Sequence, residues 1–98
     1  MDGTEFTRGP LTGDAADDVL RRLARVSGQV QGISRMVREG RHCVEVLDQL
    51  ASAQKALDAA SRQVVRHYLE HTVAEAATDG GNDPRIFDEL MTVLFRHR

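Results

Sequence analysis

Apolar residues in the first half of the chain recur at alternating intervals of four and three: Val19, Leu23, Val26, Val30, Ile33 and Val37. Residues at these intervals share a helix face, so the pattern predicts an amphipathic helix packed in a bundle. Asp14 is its candidate N-cap, with Asp17 and Asp18 in the first turn beside the positive end of the helix dipole. Gly40 is a natural stop. Gly28 and Gly32 each cost about 1 kcal/mol relative to Ala inside such a helix, and together they would let another backbone come close.

A second helix is predicted from about residues 41–43 to about residue 77. Its stripe, Cys43, Leu47, Leu50, Leu57, Val64 and Tyr68, steps by threes, fours and sevens, while Ala51, Ala53, Ala56, Ala59 and Ala60 make its centre slim. So long a helix needs a partner along much of its length. Gly80, Gly81 and Asn82 end it, Asp83 is a candidate cap, and Pro84 suits the first turn of a short third helix over residues 85–95. That helix carries Ile86, Leu90, Val93 and Leu94 on one side. Nothing alternates with a period of two and nothing repeats, so the expected class is all-α. Residues 1–13, polar and Gly-rich, read as a flexible arm before a helical domain over residues 14–98.

On one helix Cys43 and Tyr68 lie roughly 37 Å apart, too far to meet within a chain, yet on the same face. A second copy running antiparallel would set one chain's Cys43 beside the other's Tyr68 and Thr72. The expectation is a homo-oligomer with a thiol pocket at the subunit interface. A chain of 98 residues favours the same outcome, because it buries a modest fraction of its surface alone.

The formal charge of -2 hides an uneven distribution. Arg21, Arg22, Arg25, Arg35, Arg38 and Arg41 face Glu39 as the one acid over the same stretch, with acidic segments before and after. A basic middle suits an anionic partner, although an exposed arginine also serves solubility alone. One cysteine excludes an intrachain disulfide, and no segment resembles an export signal or a membrane span; the reading is a cytoplasmic protein with a reduced thiol and no membrane partner. Paired carboxylates in an apolar pocket, a Ser/His/Asp grouping, a phosphate loop and a Cys-x-x-Cys site are all missing, which argues against an enzyme.

The segments LRRLARVSGQVQGISRMVREGRHCVEVLDQLASAQKAL and VVRHYLEHTV, with the block R-x-x-G-Q-V-x-G-I-x-R-M leading to the cysteine, resemble the copper-sensing repressor family (CsoR/RcnR), also called metal-sensitive transcriptional repressors. The resemblance implies a three-helix protomer, an antiparallel four-helix-bundle dimer and a dimer of dimers. It implies binding to operator DNA through basic residues of the first two helices, and release when a metal ion or small inducer fills the interface pocket. Arg22 falls at a basic position associated with DNA binding, and Arg21, Arg25, Lys55, Arg62 and Arg66 would extend that surface. Such residues neutralise phosphates, so binding should weaken as salt rises.

Copper-responsive members place Cys on one protomer against His and Cys, four residues apart, on the other. Here the latter two positions hold Tyr68 and Thr72, so Cys43 alone survives. Cu(I) prefers soft thiolate and imidazole ligands, which argues against a high-affinity copper site and leaves any other transition metal open. His67 and His71, one helical turn apart, would offer two imidazoles to a metal shared with Cys43, but each stands one residue off the family's ligand positions. Otherwise Cys43 senses an electrophile, an oxidant or a sulfur species, or is simply a small hydrophobe. His42 and Glu89 match positions that surround the pocket in copper sensors, and an imidazolium at His42, with the helix N-terminus, would favour the thiolate. The remaining alternative is a helical oligomerisation module without sensing.

Overall fold

A computed structural model describes residues 10–78 and 84–96. They form three helices, α1 (Gly13–Arg38), α2 (Cys43–Thr78) and α3 (Pro84–Arg96), and no strand occurs among the described residues. No helix there is long and apolar enough to cross a membrane. Pro84 opens α3 as expected; the candidate cap Asp83, the Gly80 to Asn82 turn and most of the expected arm lie outside the described residues.

The start of α1 differs from expectation. Thr12, with extended φ −140° and ψ 170°, is the N-cap, and no side chain closes it. Gly13 begins the helix at φ +65°, so Asp14 is inside the first turn rather than capping it. Asp18 is correspondingly deeper in the helix, where arginines one turn on can reach it.

The end of α1 follows from Gly40. Its φ of +72° lies in the left-handed region that a Cβ disfavours. With the chain so turned, Gly40 N–H donates to the Val37 carbonyl at 3.1 Å and Arg41 N–H to Met36 at 3.0 Å. This paired closure satisfies carbonyls that the helix end would leave bare. A Cβ at Gly40 would meet nothing within 4 Å, so the penalty of substitution is backbone strain alone. Gly40→Ala is expected to cost about 1–2 kcal/mol, whereas Gly28→Ala, in an ordinary helical conformation with open space beside it, should stabilise the isolated chain by about 1 kcal/mol. Thermal unfolding should show a lowered midpoint for Gly40→Ala; an unchanged or raised midpoint would refute this account of Gly40.

The chain divides into two compact units. In the first, Thr12–Gln63, α1 and the first part of α2 form a hairpin. Val19, Val26 and Ile33 are buried on α1, and Ala53 and Ala60 on α2. Both sets step by sevens, large residues on one helix and small ones on the other, which permits a close seam. The 4-3 stripe is thereby split: Leu23, Val30 and Val37 remain exposed, Val37 at 61%. A step of four residues turns about 40° around the helix, enough to leave one row in the seam and the next outside it. Ala51 is exposed too, and nothing fills the space beside Gly28 and Gly32. In the second unit, α3 buries Ile86 and half-buries Leu90 and Val93, leaving Phe87, Leu94 and Phe95 exposed.

Candidate functional site

The hairpin link sets up the cysteine. His42 caps α2: its carbonyl accepts from Val46 N–H at 3.2 Å, and its ring Nδ1 accepts from Val44 N–H at 3.1 Å. In this arrangement the ring serves the helix start. Cys43, the first residue of α2, is exposed and borders an open, mainly apolar hollow with Val37, Arg41, Val46 and Leu47. Arg41 is held by an ion pair with Glu45 one turn on. The sequence reading passed over Val37, Val46 and Arg41 as neighbours of the thiol; the four-residue link was the signal, since it folds the last turn of α1 back beside the first turn of α2.

In the second unit the Tyr68 hydroxyl donates to the Glu89 carboxylate, tying α2 to α3. Thr72 is wholly buried at 0% exposure, and its Oγ1 donates to the Tyr68 carbonyl at 2.8 Å. Tyr68, Thr72 and Glu89 thus form one connected group. Phenylalanine at 68 would remove the donor and leave a half-buried carboxylate short of it. Tyr68→Phe is expected to destabilise by about 1.5 kcal/mol, the lower end for a bond to a charged group. An unchanged melting temperature would show that solvent replaces the bond without loss.

The His67 and His71 rings face one another with centroids 4.1 Å apart, tilted by 45°. No group of three or more His, Cys, Asp or Glu side chains suited to a metal occurs among the described residues. Within one chain, then, the candidate set Cys43, His67 and His71 is not assembled.

The candidate DNA-binding cations fall into two kinds. Arg25, Lys55 and Arg62 are exposed and make no ion pair among the described residues. Arg22 donates through Nε to Asp18 at 2.8 Å, and Arg21 reaches the other oxygen of the same carboxylate at 3.6 Å. Arg66 donates through Nε to Glu70 at 3.0 Å. The hydrogen bond from Arg22 holds the Asp18 carboxyl below its ordinary value, with the charges of Arg22 and Arg21 adding to it. That contribution to stability is present above the ordinary carboxylate pKa and is lost as pH falls through the lowered value. Sequence reading took Asp18 for a dipole partner; acid followed by base at three and four residues was the available signal.

Comparison with known proteins fits this architecture. The chain matches the metal-sensitive transcriptional repressor family over residues 15–96. It is 38% identical over 65 residues to the copper-sensing transcriptional repressor RicR of Mycobacterium tuberculosis, spanning 66% of this chain and 68% of that one. Among solved structures, the nickel-responsive transcriptional regulator InrS superposes with a TM-score of 0.79 at 30% identity, over 92% of this chain and 98% of that one. The Cu(I)-containing copper-sensing repressor CsoR of Geobacillus thermodenitrificans gives a TM-score of 0.76 at 32% identity, over 90% and 91%. The three helices, the R-x-x-G-Q-V-x-G-I-x-R-M block and the match over nearly the whole helical region lead to one conclusion: the chain belongs to the metal-sensitive transcriptional repressor family.

Proposed function

We propose that this protein represses transcription by binding operator DNA as an oligomer, and that an inducer at an intersubunit pocket around Cys43 releases it. The observation that carries this reading is the state of the three positions. Cys43 is an exposed thiol beside an apolar hollow, while Tyr68 and Thr72 are engaged in hydrogen bonds as a phenol and a hydroxyl. That donor set does not fit Cu(I), which takes soft sulfur and imidazole ligands. The copper- and nickel-responsive relatives support a transition metal ion as inducer, with His67 and His71 as imidazoles within reach of one another. The exposed thiol supports a second reading, in which an electrophile, oxidant or sulfur species modifies Cys43.

Either inducer works by binding one assembly state better than the other; equal affinity for both would shift nothing. Fluorescence anisotropy of the reduced protein on DNA from upstream of its own gene tests the reading. Cu(I), Ni(II), Zn(II), a peroxide and an aldehyde are added in turn. Release by one addition, abolished in Cys43→Ser, is the expected result and names the inducer class. Binding that no addition reverses would leave a repressor without this pocket, and no binding at all would leave only an oligomerisation module.

A further inference from the structure

Two of the candidate DNA-binding arginines are held in one particular way. Arg22 is gripped at Nε by Asp18, and Arg66 at Nε by Glu70, each from one helical turn away. A guanidinium held at Nε keeps the outer edge formed by its two Nη groups for another partner, and that edge matches two phosphate oxygens. Arg41, outside the candidate surface, is paired instead through Nη2. Asp18 does more than Glu70, since its second oxygen faces Nη2 of Arg21.

We infer that Asp18 and Glu70 are positioning residues for DNA binding, carboxylates that fix Arg22 and Arg66 with their outer edges presented to phosphates. The inference rests on the DNA-binding function proposed above. Two opposing effects decide its sign. A carboxylate near DNA repels phosphate, so by charge alone its removal tightens binding. A long side chain fixed beforehand avoids an ordering cost of about 0.5–1.5 kcal/mol when it binds. The repulsion between carboxylate and phosphate acts over a distance and is screened by salt, whereas the grip is a hydrogen-bonded contact at 2.8 Å for Asp18 and 3.0 Å for Glu70, which salt weakens less. At physiological salt the second effect prevails. The lowered pKa of Asp18 agrees with a carboxylate that stays ionised on its arginines.

The experiment compares the full-length unsubstituted protein with Asp18→Asn, Glu70→Gln, Asp17→Asn and Arg22→Ala on one operator fragment at several salt concentrations. Asp17 is an exposed acid next to Asp18 that pairs with no arginine among the described residues, so its variant reports charge and helix-dipole effects alone. Relative to Asp17→Asn, Asp18→Asn should bind about fivefold more weakly. Its slope of log affinity against log salt should be unchanged, because the arginines still reach phosphates; Arg22→Ala should lower that slope by about one. Glu70→Gln should weaken binding in the same sense. Asp18→Asn binding as tightly as Asp17→Asn, or more tightly, overturns the inference, as does a slope reduced like that of Arg22→Ala. If the unsubstituted protein binds no DNA, the functional reading falls first, a result unlike either of those. Circular dichroism of each variant verifies that the helices persist.

Discussion

Replacing Leu50 and Leu57 together by Glu is expected to abolish the proposed assembly and, with it, much of the helix content. Leu23, Val30, Leu47, Leu50, Leu57 and Val64 are all exposed in the single chain, Leu47 at 62%. Among the described residues few large side chains are buried to offset the cost of ordering helices of 26 and 36 residues. Burying one such leucine contributes about 1.5–3 kcal/mol. In a two-fold contact each substitution is felt twice, so the double variant removes four leucines and places four carboxylates where none has a partner. Sedimentation velocity at micromolar concentration gives the mass, and circular dichroism the helix content. An unchanged mass would put the assembly surface elsewhere, with the rows of Leu23, Val30 and Val37 on α1 next to be tested.

The second large effect is a gain. Tyr68→His with Thr72→Cys should raise Cu(I) affinity by orders of magnitude, because it restores an imidazole and a thiolate at the two positions where the family resemblance places them. The exchange at 72 is sterically mild, since a thiol replaces the hydroxyl and methyl of the wholly buried Thr72 with little change of volume. Loss of the Thr72 bond to the Tyr68 carbonyl and of the Tyr68 bond to Glu89 should lower stability of the metal-free variant. Competition with a chromogenic Cu(I) chelator measures the affinity. No gain over the unsubstituted protein would mean that Tyr68 and Thr72 do not face the thiol of another subunit.

Much of the fold was legible. The periodicity of α1, the stop at Gly40 and Pro at the start of α3 are local signals, and each is realised. The family block fixed the class because its residues are contiguous in the chain. What could not be read is how one apolar stripe divides between partners. Val19 and Leu23 look alike in sequence; burial of one and exposure of the other depends on where α2 lies. The same holds for charges. Asp18 and Arg22 announce a pair by spacing, but the choice of Nε, which leaves the Nη edge open, is a matter of rotamers. His42 shows the same limit, since the bond that its ring Nδ1 accepts from Val44 N–H depends on how the chain turns into α2.

The link at Gly40 bears on how such chains can diversify. Every peptide N–H from Glu39 to Arg41 has a carbonyl on α1, and the next residue, His42, caps α2, so no slack separates the two helices. One added residue would break this run of bonds and turn the start of α2, Cys43 together with its row of leucines, relative to α1. Relatives that answer to different inducers are therefore free to exchange side chains at this joint, but insertions and deletions within it should be purged.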